Sequence, residues 1–228
     1  MDNEEITIHL WGAAPKDWEG HEAQLAGSFA AYEGSSEPKV FKSLKLPGRR
    51  HDFLVSRLLL ANALGEYGEN PRSVSRDGQG KPFLEKGVAE VRDSVHFNLS
   101  YSEGLLVCGA TRRYPLGVDV ESVRRELGMD AVVERYFSPE ERATFLAETG
   151  DGRREVFFGC WTLKEAFLKG MGTGLRTSVL SCVFDLDRRD HVALTLAEGV
   201  KEKAEAWHLL LLASGEHRVA VACRAGME

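Results

Sequence analysis

The sequence predicts an α+β protein composed of two pseudo-symmetric α/β lobes, each with a small, mainly antiparallel sheet packed with helices. Two observations favour this fold. Each half of the chain has helical segments followed by two apolar runs around a polar turn, Ser100–Gly104 or Ser214–His217. In addition, 228 residues suit either one large domain or two domains of about 100 residues each. We therefore expect a duplicated unit, with lobes of residues 1–115 and 116–228.

Composition and charge narrow the classes of protein that the chain can represent. A net charge of −6 gives no general attraction to nucleic acid or to an anionic membrane. No apolar run reaches the roughly 20 residues of a transmembrane helix, and the first residues lack the pattern of a signal peptide. The cysteines are widely spaced in apolar surroundings, which predicts buried thiols rather than a zinc site or disulfides. We expect a cytoplasmic protein that binds neither nucleic acid nor membrane.

The first lobe is predicted to contain a strand and two helices before its hairpin. Residues Ile6–Leu10 alternate between apolar and polar side chains, as in a half-buried strand. The segment Ala23–Tyr32 predicts a short helix, and Gly34–Pro38 predicts a loop. A longer helix is predicted over Arg49–Leu64, with Gly65 at its C-terminal end.

That longer helix has an apolar face and a basic one. Leu54, Leu58 and Ala61 form the predicted inward stripe. Arg50 and Arg57 are seven residues apart and share a second face. Two arginines so placed are commonly solvated surface charges, and the alternative is a site for an anion.

Two turns in the first lobe present polar groups. The glycine-bounded turn Asp77–Leu84 places Lys81 directly before a proline, which holds the lysine extended, although the spacing is not that of a P-loop. Further on, Val95–Leu99 and Gly104–Thr111 predict two strands joined by a loop rich in hydroxyls and backbone donors. Each turn alone is a weak signal, since most such turns are structural.

An acidic strand opens the second lobe. In Leu116–Glu121, the two-residue period puts Asp119 and Glu121 on one face and the valines on the other. Like charges so placed repel each other, and they are close enough to share a divalent cation. Ligands that are all oxygen atoms suit magnesium or manganese rather than zinc. The alternative is an edge strand with a solvated acidic face.

Helix signals follow this strand. Asp130 is expected to cap a short helix that ends at Phe137, and Ser138-Pro-Glu-Glu141 is a capping box that starts the next helix. A longer helix is predicted from Gly150–Gly152 to Gly170–Gly174. The strand-like runs after it are Leu180–Leu186, His191–Leu196, Trp207–Ala213 and Arg218–Cys223.

This longer helix is predicted to carry two different faces. Its apolar stripe consists of Cys160, Leu163, Phe167 and Met171. Thr162, Glu165 and Lys169 share the opposite face, with Trp161 and Leu168 beside them. Charges placed among apolar neighbours usually serve a ligand or a metal. The alternative is a solvated ion pair on an ordinary amphipathic helix.

Taken together, these segments resemble the signature of the 4'-phosphopantetheinyl transferases. The resemblance rests on Gly117-Val-Asp-Val-Glu121 followed by Trp161-Thr-Leu-Lys-Glu-Ala-Phe-Leu-Lys169 and a Gly-Thr-Gly-Leu ending. Gly80–Leu84 and Phe97–Ser100 are similar to the earlier motifs of that family. The duplicated length matches the larger, pseudo-dimeric, surfactin-synthetase-activating type.

The resemblance implies a reaction and roles for individual residues. The family transfers the 4'-phosphopantetheine arm of coenzyme A to a serine of an apo acyl or peptidyl carrier protein and releases adenosine 3',5'-bisphosphate. It implies that Asp119, Glu121 and Glu165 hold magnesium, or manganese, at a site between the lobes. Glu165 is also the implied base, and Lys169, assisted by Lys164, contacts the transferred phosphate. The candidate contacts to the nucleotide end of coenzyme A are Lys81, Ser100, Tyr101, Arg50 and Arg57.

One position departs from the family pattern. Tyr101 stands where the family has a histidine associated with the 3'-phosphate of coenzyme A. A tyrosine brings no positive charge at neutral pH, so we expect either weaker discrimination against 3'-dephospho-coenzyme A or a charge supplied by Arg50 or Arg57.

The carrier protein is expected to dock near Met171, Leu175 and Arg176, and the duplicated chain is expected to act as a monomer. Two other functions remain open from the sequence. One is a module that binds coenzyme A or a nucleotide without catalysis, and the other is a magnesium-dependent phosphodiester hydrolase. A serine hydrolase is excluded because the chain has no Gly-x-Ser-x-Gly elbow.

Overall fold

The computed structural model describes residues 6–85, 94–172, 178–186 and 192–225. The chain forms two compact units, Met1–Tyr114 and Pro115–Glu228. Among the helices in the described ranges, none is long and apolar enough to cross a membrane.

The first unit contains a strand, three α-helices and two hairpins in its described residues, besides short 3-10 turns. In chain order these elements are β1 (His9–Ala13), α1 (Glu22–Phe29), α2 (Glu37–Ser43), α3 (Pro47–Glu66), β2 (Val74–Arg76), β3 (Pro82–Leu84), β4 (Val95–Ser102) and β5 (Leu105–Arg112). The main sheet is antiparallel, with strand order β1-β5-β4, and β2 pairs separately with β3. Residues of α3 such as Leu60 and Leu64 share one apolar core with Leu106 and Ala110 of β5.

The predicted helices of this unit are confirmed with two differences. First, α2 begins inside the predicted Gly34–Pro38 loop, because Glu37 is fully buried and Pro38 occupies the first turn, where its missing N–H is harmless. Second, α3 continues through Gly65 to Glu66. The opening strand begins at His9, later than the alternation predicted.

The buried face of α3 is rotated from the one predicted. Leu54, Leu58 and Ala61 are only partly buried, at the margin of the core. The buried apolar residues of the helix are Val55, Leu59, Leu60, Ala63 and Leu64. From Phe53 to Leu64 only Ser56, Arg57 and Asn62 are polar, so the apolar residues fall on several sides of the helix and the helical period alone does not single out one face.

The hairpin that closes the first unit has a shorter loop than predicted. Strand β4 extends to Ser102, and only Glu103 and Gly104 form the turn. Both turn residues have positive φ, 37° and 87°, as a two-residue type I′ turn requires. Ser100 and Tyr101 therefore belong to the strand, where alternation directs their side chains to opposite faces of the sheet.

The second unit repeats this order of elements. In chain order these are β6 (Leu116–Ser122), α4 (Met129–Tyr136), α5 (Pro139–Ala147), α6 (Gly150–Met171), β7 (Cys182–Asp185), β8 (Ala193–Leu196), β9 (Trp207–Ser214) and β10 (His217–Arg224). Its main sheet has the order β6-β10-β9, again with the opening strand paired to the last one. The predicted α+β fold with two equivalent lobes is confirmed.

Local signals predicted the start of α5 and the end of α6, whereas Asp130, expected to cap α4, lies inside that helix, whose N-cap is Gly128. Ser138 Oγ accepts a hydrogen bond from the Glu141 N–H at 3.2 Å, and Glu141 Oε2 accepts one from the Ser138 N–H at 2.8 Å. The predicted capping box is thus confirmed. Helix α6 ends at Met171 and is followed by Gly172, whose φ of +68° suits a glycine C-cap. One side of α6 packs on the sheet, where Phe167 contacts Trp207 with ring centroids 4.6 Å apart.

Candidate active site

A glycine crossing brings the acidic strand β6 against helix α6. A Cβ atom on Gly117 would lie 1.9 Å from the Ala166 carbonyl oxygen and 2.3 Å from the Gly170 nitrogen. Only glycine therefore permits this approach of the two backbones. Because alternate strand residues share a face, Asp119 and Glu121 lie on the same side of β6 as the glycine, the side that faces α6.

Helix α6 leaves one narrow stripe partly exposed. Between Phe157 and Gly170, all residues are buried except Trp161, Glu165 and Lys169. Each of these residues is four positions from the next, so their side chains lie along a single face of the helix. Thr162 was predicted to share that face, but it is fully buried and donates its hydroxyl to the Phe158 carbonyl at 2.5 Å. The partly exposed face of α6 is thus narrower than the sequence indicated.

Strand and helix are joined by Lys169. Its ammonium donates to Asp119 Oδ1 at 2.7 Å and to the Val118 carbonyl at 3.2 Å. Asp119 is 5% exposed and Glu121 is 8% exposed. A charge-assisted hydrogen bond in such a partly desolvated setting is stronger than one on an open surface. Strand β6 is at the edge of its sheet, but its two acidic residues are buried. The alternative of a solvated acidic edge strand is therefore not what the structure shows.

Arg125 is a site residue that the sequence analysis missed. Its guanidinium donates to both oxygens of Glu121, at 3.0 and 3.1 Å. The residue lies beyond the end of β6, where strand periodicity no longer predicts the direction of a side chain. The signal available in the sequence was its position four residues after Glu121 in a basic Arg124-Arg125 pair.

Negative charge is concentrated around Glu165. Burial raises the pKa of its carboxyl group, and the nearby charges of Asp119 and Glu121 raise that pKa further, while Lys169 lowers it. The three carboxylates predicted to act together therefore lie close enough to interact. A carboxyl group with a raised pKa in a cleft of charged residues is typical of acid–base chemistry or cation binding.

The donor chemistry of this cluster fits a hard cation. Carboxylate oxygens are the ligands that magnesium and manganese prefer. Within the described part of the chain, no three histidine, cysteine or acidic side chains are already placed to hold a metal ion. Instead, Lys169 and Arg125 supply positive charge to Asp119 and Glu121.

Similarity to known proteins places this site in a family. The profile of the 4'-phosphopantetheinyl transferase superfamily matches residues 115–222, which include β6 and α6. The 4'-phosphopantetheinyl transferase HetI of Nostoc sp. is 30% identical over 223 residues, covering 96% of this chain and 88% of HetI. The chain belongs to the 4'-phosphopantetheinyl transferase family.

Other family members match over shorter stretches. The 4'-phosphopantetheinyl transferase Sfp of Bacillus subtilis is 30% identical over 151 residues, covering 65% of this chain and 64% of Sfp. A solved holo-(acyl-carrier-protein) synthase of Bacillus anthracis, in complex with CoA (3',5'-ADP), has a TM-score of 0.41 and 25% identity, covering 49% of this chain and 96% of that one. The predicted resemblance to the larger type of 4'-phosphopantetheinyl transferase is confirmed.

Lys164 lies on the buried side of α6, away from the stripe of Glu165 and Lys169. Its side chain has no exposed surface and its ammonium lies 3.0 Å from Glu141 Oε2. It also donates to the carbonyl groups of Val179 and Cys182. The ion pair and the two hydrogen bonds hold the ammonium on the buried side of α6, so these contacts indicate a structural role for Lys164 rather than the expected contact with the phosphate.

Arg57 is likewise held inside its own unit. It is 5% exposed, donates to the buried carboxylate of Glu37 and lies over the Phe53 ring at 4.3 Å. Arg50 is exposed and lies over the Phe41 ring at 4.2 Å. Of the two arginines expected to meet an anion, only Arg50 therefore presents an accessible guanidinium.

The remaining predicted residues are distributed over several elements. Tyr101 is 41% exposed on β4, whereas Ser100 is partly buried on the opposite face of that strand. Lys81 is partly buried at the end of the β2–β3 turn. Met171 packs at the margin of the core of the second unit. Leu175 and Arg176, expected to meet the carrier protein, lie outside the described residues.

Proposed function

We propose that this chain transfers the 4'-phosphopantetheine arm of coenzyme A to a serine hydroxyl of an apo acyl or peptidyl carrier protein. A single observation carries the proposal. Asp119 and Glu121 on β6 lie on the side facing Glu165 and Lys169 of α6, within the segment that matches the family. In the reaction, the serine oxygen forms a bond to the phosphorus that bears pantetheine. The bond from that phosphorus to the bridging oxygen breaks, and adenosine 3',5'-bisphosphate leaves.

The carboxylates define where a cation would sit. Asp119, Glu121 and Glu165 would hold magnesium or manganese, which when bound offsets charge on the pyrophosphate and on the leaving group. Lys169 is fixed beside Asp119 by its 2.7 Å hydrogen bond. Its ammonium is therefore available, without a large movement, to contact the phosphate that is transferred.

Glu165 is the group that accepts the serine proton in this proposal, directly or through a water molecule. Without a cation, its pKa is raised by burial and by the neighbouring carboxylates, and a cation held by the same carboxylates would oppose that shift. A carboxylate within hydrogen-bond reach of the serine, or of a water molecule beside it, can accept the proton. Its place on the partly exposed stripe of α6 leaves room for a substrate hydroxyl.

The proposal extends to the setting of the reaction. We place it in the cytoplasm, with the chain acting as a monomer and with no role for nucleic acid or membrane. The net charge of −6 and the presence of both units in one chain support this setting. Mass determination in solution at working concentration tests the monomer.

Intact-mass analysis of the carrier protein tests the activity. An apo carrier protein is incubated with the chain, coenzyme A and magnesium, and the expected product is the carrier protein with one added phosphopantetheine arm. Glu165→Gln removes the base and one metal ligand, so we expect a loss of rate of at least about 10²-fold, the lower value for general acid–base catalysis. Chelation of the divalent cation is expected to abolish the transfer.

The matched control is Glu66→Gln, the same change at an exposed glutamate at the end of α3, which should retain full activity. Release of adenosine 3',5'-bisphosphate without modification of any carrier protein would instead indicate the phosphodiester hydrolase. Binding of coenzyme A with neither product would indicate the binding module.

A further inference from the structure

A buried carboxylate anchors two arginines in the first unit. Glu37, at the start of α2, has no exposed surface. Its Oε2 accepts from the Nε of Arg57, and its two oxygens accept from the Nε and Nη2 of Arg76 at 2.8 and 3.0 Å. The contact with Arg76 is bidentate, which fixes the plane of the guanidinium as well as its position.

Arg76 connects the buried Glu37 carboxylate to the turn between β2 and β3. Its Nη1 donates to the Gly80 carbonyl at 2.6 Å. Gly80 has a φ of +84°, a backbone conformation that glycine adopts without strain. The guanidinium therefore fixes the peptide bond that directly precedes Lys81.

The rest of the turn is fixed by Asp77. The Asp77 carboxylate accepts hydrogen bonds from the N–H groups of Gln79 and Lys81, both at 2.9 Å. The Asp77 N–H donates to the Lys81 carbonyl at 3.0 Å. Pro82 follows and restricts Lys81 to an extended backbone. Both backbone groups of Lys81 and the carbonyl before it are thus held, and the starting direction of its side chain is set.

We propose that Glu37 and Arg76 form a positioning pair that holds the Asp77–Lys81 turn so that the Lys81 ammonium meets a phosphate group of coenzyme A. The inference rests on the proposed function, since it concerns how the same substrate is recognised. Neither Glu37 nor Arg76 touches substrate in this proposal. Each acts through the Gly80 peptide on Lys81.

A steady-state test uses Arg76→Gln. Arg57 stays on Glu37 in this variant, so the buried carboxylate keeps a cationic partner. We expect the KM for coenzyme A to rise about tenfold, the effect of losing one charge-assisted contact, with kcat little changed. Arg76→Lys keeps the charge but not the bidentate geometry, and it should remain impaired. The matched control is Arg72→Gln, at an exposed arginine before β2, which should leave both constants unchanged.

Combination with Lys81→Ala separates positioning from a general loss of stability. If Arg76 acts through Lys81, Arg76→Gln should add less than about twofold to the KM in the Lys81→Ala background, since coupled sites are not additive. A full tenfold increase in that background would overturn the proposal. So would an unchanged KM in Arg76→Gln with only a lower Tm.

Hydrogen–deuterium exchange tests, without measuring catalysis, whether Glu37 and Arg76 act as a clamp on the Asp77–Lys81 turn. The amide of Lys81, bonded to Asp77, should exchange faster in Arg76→Gln than in the wild type, and unchanged exchange would overturn the proposal. If the wild-type chain transfers no arm from coenzyme A but exchange accelerates, the proposed function fails while the clamp on the turn stands. If the wild type is active but Lys81→Ala leaves the KM unchanged, the function stands and the substrate role of the clamp fails.

Discussion

Lys164 and Glu141 form an ion pair with an Nζ to Oε2 distance of 3.0 Å, and neither side chain has any exposed surface. Glu141 also accepts hydrogen bonds from the N–H groups of Ser138 and Phe184, at 2.8 and 2.9 Å. One carboxylate thus joins α5, α6 and β7. Since Lys164 precedes Glu165, the pair also fixes the rotation of α6 that turns Glu165 towards β6.

Replacing one partner of this pair should destabilise the protein strongly. In Lys164→Met the Glu141 carboxylate remains buried without its cation, and loss of a partner from a buried pair costs about 3–5 kcal/mol. Urea unfolding should show a lower midpoint with an unchanged m-value. The double variant Lys164→Met/Glu141→Gln removes the buried charge as well and should be more stable than the single variant. Equal stability of the two would contradict this account.

Gly117→Ala should displace β6 from α6. The added Cβ meets the Ala166 carbonyl and the Gly170 nitrogen, which are backbone atoms and cannot rotate away. We expect a loss of about 3 kcal/mol, the upper value for overpacking, together with loss of transfer activity. Gly27→Ala in α1 is the control, because an added Cβ there meets nothing within 4 Å. That change should stabilise the protein by about 0.5–1 kcal/mol. If Gly117→Ala and Gly27→Ala were similarly stable, the backbones of β6 and α6 would not be in tight contact at Gly117.

Alkaline pH should destabilise the fold through its buried thiols. Burial raises the pKa of Cys108 and of Cys182 to about 12 from the ordinary 9.0. Between pH 9 and 12 the folded state therefore binds more protons than the unfolded state, so stability is lost as the pH rises. Each thiol contributes a fall of about 1.4 kcal/mol per pH unit in the free energy of unfolding. The slope should be smaller by that amount in Cys108→Ala, whereas parallel curves for variant and wild type would count against the assignment.

Tyr101→His should change the selection of the substrate. We predict that the wild-type enzyme distinguishes poorly between coenzyme A and 3'-dephospho-coenzyme A, because Tyr101 is exposed and uncharged. A protonated histidine supplies a charge-assisted donor, and the ratio of kcat/KM values should then rise in favour of coenzyme A by about tenfold. The gain should be larger below about pH 6.5, where histidine is protonated. Tyr101→Phe should leave the ratio unchanged, and a ratio already high in the wild type would contradict the prediction.

Local patterns in the sequence predicted those parts of the fold that depend on neighbours in the chain. The capping box at Ser138, the helix end at Gly172 and the alternation that pairs Asp119 with Glu121 are all set within a few residues. The same holds for the family signature, whose carboxylates and lysine lie on two regular elements.

Local sequence patterns did not predict contacts between residues that are far apart in the chain. Glu37 meets Arg76 across a separation of 39 residues, so no local pattern pairs them. For the same reason, the sequence did not predict that Arg57, expected to face a bound anion, pairs with Glu37. Lys164 was expected at the phosphate, but it lies on the buried side of α6. Because α6 is buried on nearly every side, the spacing of its apolar residues does not show which way a polar side chain points.

The two units share a strand order, but the strands at equivalent positions differ in chemistry. By strand order, β1 is the counterpart of β6, yet its residues His9-Leu-Trp-Gly-Ala13 include no carboxylate. His9 instead packs against Trp11 and Tyr67, with ring centroids 5.8 and 5.6 Å apart. In the first unit this strand contributes packing contacts, whereas in the second unit it carries the acidic residues of the candidate site. Substitutions in β1 should therefore be tolerated according to the size of the side chain, and those in β6 according to its charge.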